Sequence, residues 1–402
     1  MSETGLGTLR LLGRAGVECY GLDAIEPLPA FWSRYCRRGV RLAPDASDAQ
    51  VVEAVIAFAR ELPPRPVLIP TSDRMVQLVS RARARLEPHF RMALPDEATV
   101  EDLLDKSRFA QRTRGTPVSV PRSVTIDGID ELPAAVAELR LPLILKPVRQ
   151  GDIAGTNFPK VLLLERPEQV AEAQARHTGC NRMRLVAQEY IPGAARQQLS
   201  VAAVLDRDCR VVTSFTARKR RQGTNGTGVG LYVESIHDPE AEAAGIALLK
   251  QLKCVGISEV ELKRHPETGR LYVIEINARV WLQVTLPAAC GINFPEAVYC
   301  VAAGIAPPPA PPAAANHQPS AWQDFFHDGH ATFRPGGYHA KGEVSTFQWL
   351  KESLSAHSGP YASLRDPLPL LARLCHLFAK LAFWQTTKEP IPRSETNVLH
   401  AR

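Results

Sequence analysis

Three carboxylates, an amide and a guanidinium recur at alternate positions around residue 270. The run Gly256-Ile-Ser-Glu259-Val-Glu261-Leu-Lys263-Arg264 leads through His265-Pro-Glu-Thr-Gly269 into Arg270-Leu-Tyr-Val-Ile-Glu275-Ile-Asn277-Ala-Arg279. Two such runs joined by a short Pro/Gly turn spell a β-hairpin. Side chains alternate faces along a strand, so Glu259, Glu261 and Lys263 share one face, and Val260 and Leu262 the other. On the return strand Tyr272, Ile274, Ile276 and Ala278 are expected on the apolar face, with Glu275, Asn277 and Arg279 opposite. If Arg264 pairs with Arg270, Glu259 lies opposite Glu275 and Glu261 sits diagonal to it.

Carboxylates crowded across adjacent strands repel, and a cation between them removes the penalty. Magnesium takes hard oxygen ligands, commonly one or two carboxylates plus nucleotide phosphates. Asn277 adds a neutral oxygen, and Arg279 a fork suited to phosphate or carboxylate. An exposed hairpin balanced by Lys263, Arg264, Arg270 and Arg279 would show the same alternation, which by itself does not choose between the two.

The elements that must hold this hairpin come from a chain of 402 residues, long enough for two or three packed units. With 45% apolar and 22% charged residues the composition is that of a globular protein. No run approaches the roughly 18 apolar residues that cross a bilayer, and Met1 to Arg10 lacks the build of a secretory signal. Eight cysteines lie singly from Cys19 to Cys375 with no Cys-x-x-Cys pair, the usage of reduced thiols. A cytoplasmic protein with no membrane partner is expected. The net charge of +6 gathers in basic runs at Arg34 to Arg41, Arg81 to Arg91 and Arg218 to Arg221. Aromatics are sparse and do not alternate with the basic residues, so nucleic acid is not expected as a partner.

Residues 1–103 alternate helical and strand patterns. Asp48 to Arg60 has apolar residues at helical spacing, Val67-Leu68-Ile69-Pro70 reads as a short buried strand, and Asp73 can cap the helix after it. That rhythm predicts an open α/β, Rossmann-like unit with a parallel sheet. Gly5-Leu6-Gly7 opens a helix with no strand before it. Either that strand is missing from this chain, which would then be truncated, or the unit lacks one. Residues 104–304 are rich in short strands, at Leu141 to Lys146, Val161 to Glu165, Leu185 to Gln188, Ser200 to Leu205, Val211 to Thr216 and Leu231 to Glu234. Helices at Pro167 to His177 and Pro239 to Leu252 interrupt them, an α+β pattern. Residues 305–321 form a Pro/Ala-rich linker. Residues 322–402 read as a loop-rich stretch followed by a helix over about 368–386, whose Leu370, Leu371, Leu374 and Phe378 are expected to dock on the core. The His and Asp residues of Phe326-His327-Asp328-Gly-His330, with His339, read as incidental rather than metal-binding.

Glu275-Ile-Asn277-Ala-Arg279 after Glu259-Val-Glu261-Leu-Lys263 resembles the metal-binding strands of the ATP-grasp superfamily, and other motifs follow in the expected order. Asp105-Lys106-Ser-Arg-Phe109 resembles the first lysine motif, and Leu141-Pro-Leu-Ile-Leu-Lys146-Pro147 the strand of the second lysine. Gln188-Glu189-Tyr190-Ile191-Pro-Gly193 is similar to the hinge that holds adenine. Ser214-Phe-Thr-Ala-Arg218-Lys219-Arg220-Arg221-Gln222 is similar to the basic strand end that faces the phosphates. The nearest resemblance is to the carboxylate–amine ligase-like branch, and Leu364-Arg-Asp366-Pro also looks like that branch.

The resemblance implies an ATP-grasp fold that joins a small carboxylate to an amine through an acyl phosphate. Transfer to a carrier-protein thiol, or nucleotide sensing without turnover, are the alternatives it leaves open, as it does a homodimer. It implies ATP with magnesium, two ions, or manganese in their place. Lys106 and Lys146 would contact the phosphates, and Gln188, Glu189 and Ile191 the adenine. A lid with Gly151 and Gly155 would cover them. Glu261, Glu275 and Asn277 would hold the metal. Arg279, with Arg218, Lys219 or Arg221, would steady the acyl phosphate. Between Glu259 and Glu261 the family pattern selects Glu261. Ala194-Ala-Arg-Gln-Gln198 stands where the family often has an acidic ribose ligand, so the ribose contacts are not assigned by the resemblance. Acceptor specificity is expected in the N-terminal loops, near Thr71-Ser-Asp73.

Overall fold

The computed structural model describes residues 3–24, 29–153, 156–223, 228–308 and 319–387. The helix Glu3–Arg14 is buried from Thr4 to Leu12, the polar Thr8 and Arg10 included. A Cβ on Gly7 would stand 3.1 Å from Val284 Cγ1, so the glycine lets this helix approach the central unit closely. After it β1 (Cys19–Asp23) pairs in parallel with β2 (Cys36–Arg41). The parallel sheet expected for residues 1–103 is confined to this pair, because Val67 contributes only an isolated parallel bridge to Arg91. Ser47 and Gln50 close a capping box at the start of helix Asp48–Ala59. For helix Asp73–Arg81 the cap is Ser72, which accepts from Met75 N; Asp73, expected as the cap, is the first helical residue.

Two antiparallel sheets follow. The smaller has the order β3-β6-β4-β5, formed by β3 (Ser123–Ile126), β4 (Leu143–Pro147), β5 (Leu162–Leu164) and β6 (Leu185–Glu189). Helices Leu132–Leu139 and Pro167–Arg176 close its core around Leu143, Leu145 and Leu185. β3 has no counterpart in the strands expected from sequence.

The larger sheet has the order β11-β10-β7-β8-β9-β12. Its strands are β7 (Gln198–Leu205), β8 (Val211–Gln222), β9 (Gly230–Ser235), β10 (Gly256–Arg264), β11 (Leu271–Asn277) and β12 (Ala321–Gln323). One face, with Val201, Ala203, Val260 and Leu262, packs on helix Pro239–Gln251; Val201 stands 2.8 Å from where a Cβ on Gly245 would lie. The other face, with Ala202, Val204, Phe215 and Val233, packs on Trp281, Leu286, Phe294 and Val298.

Residues 319–387 are more ordered than the loop-rich expectation. Trp322 of β12 is fully buried, and helices Phe325–Phe333 and Thr346–Ser355 follow. The helix Leu368–Thr387 packs on the turn Pro29–Trp32 with Leu370 and Leu374 partly covered, whereas Leu371 and Phe378 are exposed. Residues 309–318 of the linker lie outside the described residues. Among the described residues no helix is long and apolar enough to cross a membrane.

Candidate active site

The hairpin supplies the acidic side of a cleft between the two sheets. A bulge between Glu261 and Leu262 shifts its register, so Arg264 faces Leu271, Glu261 faces Glu275, and Glu259 faces Asn277. The register with Arg264 opposite Arg270, and Glu259 opposite Glu275, is thereby replaced. The bulge also re-aims side chains, as bulges do. Leu271 and Val273 before it, and Ile276 and Ala278 after it, share the buried core, while Tyr272 and Ile274 are only half-buried. The apolar face expected for Tyr272 and Ile274 is corrected accordingly.

On the polar face the three carboxylates Glu259, Glu261 and Glu275 crowd together. Lys219 Nζ lies 2.7 Å from Glu261. Glu259 accepts from Ser200 Oγ and, at 3.3 Å, from Asn277 Nδ2. Burial, then the charge of Glu261, push Glu259 up to about 7. The same two causes raise Glu275. Water reaches the Glu275 side chain, so repulsion by Glu261 outweighs burial there. Arg279 donates to Asp73 through Nε at 2.5 Å and Nη2 at 3.2 Å, and through Nη2 to Asn277 Oδ1 at 2.9 Å. Arg279 and Glu259 together fix which way the Asn277 amide points.

The smaller sheet supplies the cationic side. Lys146, at the end of β4, is buried and donates to Gln188 Oε1 at 3.2 Å. Burial pushes its ammonium down to about 8, against the pull of Glu275. Lys106 opens the short helix Lys106–Arg112, which Asp105 caps at the backbone of Ser107 and Arg108, each at 3.1 Å. Its ammonium is also lowered by burial and held up by Glu275 and then Asp73. Glu275 thus faces both lysines across the cleft. Gln188 and Glu189 end β6, where Glu189 accepts from Arg122 N at 3.2 Å, and Ile191 is buried.

The structure does not bring every expected residue here. Arg218 pairs with Leu199 of β7 and so shares the helix-covered face rather than that of Lys219; its Nε donates to Glu234 at 2.8 Å. Arg221 is buried against Asp328 at 2.7 and 2.8 Å, bonds Glu352, and stacks 4.5 Å from the Tyr232 ring centre. Strand alternation and a second bulge after Lys219 turn these two arginines away, so they are removed from the phosphate-facing set. Asp328 is thereby a structural ion-pair partner, and His327 pairs with Asp324 at 2.7 Å. Gly151 lies exposed in the turn Gln150–Ile153 with nothing within 4 Å of an added Cβ. Gly155 lies outside the described residues.

Strand alternation alone does not assign two contacts, Ser200 on Glu259 and Asp73 on Arg279. Ser200 alternates with apolar neighbours on β7, and that polar interruption was its signal. Asp73 joins from 206 residues away, a contact no local pattern encodes.

The donors suit a hard cation shared with phosphate oxygens. Among the described residues no three His, Cys, Asp or Glu side chains converge as a closed metal centre. The facing carboxylates Glu261 and Glu275, the first drawing an ammonium, with Glu259 beside them, form instead an open acidic site that a nucleotide-bound magnesium would complete.

No family model matches the sequence. The two sheets with the cleft between them make up the ATP-grasp fold. Among solved structures, the chain is similar to N5-carboxyaminoimidazole ribonucleotide synthetase in its ADP complex (14% identity, 79% of this chain and 78% of that one, TM-score 0.62). It is similar also to N5-carboxyaminoimidazole synthase from Aspergillus clavatus in complex with ADP and 5-aminoimidazole ribonucleotide (17%, 80% and 78%, TM-score 0.58). A third is the biotin carboxylase domain of Hydrogenobacter thermophilus 2-oxoglutarate carboxylase with MgADP, ADP and bicarbonate (16%, 75% and 68%, TM-score 0.57). At identities this low the structural likeness shows the fold alone.

Proposed function

We propose that this chain is an ATP-dependent carboxylate–amine ligase that releases ADP and phosphate. The observation that carries the reading is the cleft itself, where Lys106 and Lys146 on one side oppose Glu261, Glu275, Asn277, Lys219 and Arg279 on the other. The neighbours bound to ADP and MgADP support nucleotide and magnesium as the ligands. In this reading a carboxylate oxygen attacks the γ-phosphorus, ADP leaves, and an amine then displaces phosphate from the acyl carbon, losing a proton. Phosphoryl transfer of this kind asks the protein for positioning and charge neutralisation more than for covalent chemistry.

Lys106 and Lys146 neutralise phosphate oxygens, and Gln188, Glu189 and Ile191 border the adenine. Glu261, Glu275 and Asn277 would hold magnesium, which supplies charge neutralisation between phosphates; we assign two ions. Lys219 and Arg279 stand on the acyl side, and Asp73 brings an N-terminal loop to the same place. The substrates are a small carboxylate, an amino acid among the candidates, and an amine. All eight cysteines are free, which suits the cytoplasm, where ATP is available.

Phosphate release from paired acids and amines tests the reading. ADP and phosphate should form only when both substrates are present, and Glu275→Ala should lower the rate at least about 100-fold. Unchanged turnover in that variant removes the site assignment. A product cleaved by hydroxylamine would be a thioester and would overturn the amine as acceptor.

A further inference from the structure

One more ammonium stands in the cleft with nothing to balance it. Lys263 lies two residues beyond Glu261 on β10, on the same face, and its relative exposure is 5%. It makes no ion pair or hydrogen bond among the described residues; its one close partner is the Tyr190 ring, 4.7 Å from Nζ to the centre. Lys146 is near enough to repel it. Across the strand pair it faces Gln198 of β7, whose Oε1 is buried and without a hydrogen-bond partner. A buried, unpaired ammonium is unfavourable, and a ring face offsets only part of that cost. This ammonium beside that of Lys146, which is bonded to Gln188, with an orphaned acceptor next to them, suits an anion bearing a hydroxyl neighbour.

Position says which anion. Two residues of strand carry Lys263 about 6–7 Å past Glu261, away from the metal end and beside Tyr190, which sits between Glu189 and Ile191 at the adenine end. We propose that Lys263, with Lys146, binds the phosphate group nearest the adenosine, and so acts as a third phosphate-contacting lysine of the site. The proposal rests on the nucleotide-binding reading above. Gln198 offers its acceptor to a hydroxyl of the same ligand.

Calorimetric titration of the full chain with ATP, AMP and adenosine, without acid or amine, tests it. Lys263→Met and Lys263→Gln should weaken AMP and ATP by about 10- to 100-fold, the loss of one charge-assisted hydrogen bond, and leave adenosine within about twofold. Lys263→Arg should recover part of the loss. Thermal midpoints of the variants should equal or exceed the parent's, because an unpaired buried charge has been removed. Unchanged AMP binding, or an equal loss for adenosine, overturns the assignment of Lys263 while the nucleotide reading stands. Failure of the parent chain to bind ATP at all overturns both.

Discussion

Lys219 shows how one side chain holds the cleft together before any ligand arrives. It is buried, ion-paired to Glu261 at 2.7 Å, and kept charged by Glu261, Glu259 and Glu275 against its own desolvation. Removing one partner of a buried pair leaves an uncompensated charge, at about 3–5 kcal/mol. Lys219→Met should therefore lose stability of that order in chelator. Magnesium should restore more to the variant than it adds to the parent, because it replaces the missing positive charge. Denaturant unfolding with and without magnesium measures both, and equal gains would show that no cation binds beside Glu261.

At the scale of elements, small backbone events decide what the strands present. The bulge in the hairpin sets Glu261 against Glu275, and the one in β8 turns Arg221 outward to the C-terminal segment. That segment in turn depends on its own cap. Asp324 accepts from His327 N at 3.2 Å and bonds Nδ1 at 2.7 Å, starting helix Phe325–Phe333. The carboxylate raises the His327 pKa above its ordinary value, with burial opposing. A raised histidine contributes stability that is whole below about 6.5 and fades as pH climbs through the folded value. The His327 side chain is about a third exposed, so the contribution is of order 0.5–1 kcal/mol. The gap in thermal midpoint between the parent and His327→Ala should be larger at pH 6 than at pH 8.5. A gap independent of pH would show that the pair is not charged.

Over the whole molecule, segments distant in sequence are fastened together by buried ion pairs. Asp366 is 1% exposed and accepts from Arg10 Nε at 2.8 Å, Ser33 Oγ at 2.8 Å and Arg34 N at 2.9 Å. Arg10 also donates to the carbonyls of Tyr361 and Asp366. The Leu364-Arg-Asp366-Pro motif is thus a clasp between the C-terminal segment and the first helix. Asp366→Ala should cost about 3–5 kcal/mol by leaving Arg10 buried and unpaired. Limited proteolysis should then cut the 361–387 stretch sooner than in the parent, and an unchanged digestion pattern would deny the clasp its role.

The sequence alone determined most strands of the two antiparallel sheets, though not β3 or β12, together with the helices at Pro239 and Pro167 and the candidate residues on the hairpin, because period-2 alternation, proline starts and local spacing are encoded within a few residues. It also placed Lys106, Lys146 and Glu275 in one set through the resemblance. It did not determine which glutamate faces Glu275, since a single bulge moves the register by one and leaves no mark in the pattern. Nor did it separate Lys219 from Arg218 and Arg221, because a run of four basic residues offers every face of the strand. Only the tertiary structure showed which of them meets a carboxylate in the cleft, that Asp73 reaches Arg279 from the N-terminal unit, and that Lys263 is left without a counter-charge. Those facts belong to surfaces brought together from far along the chain, where packing and not local preference chooses the partner.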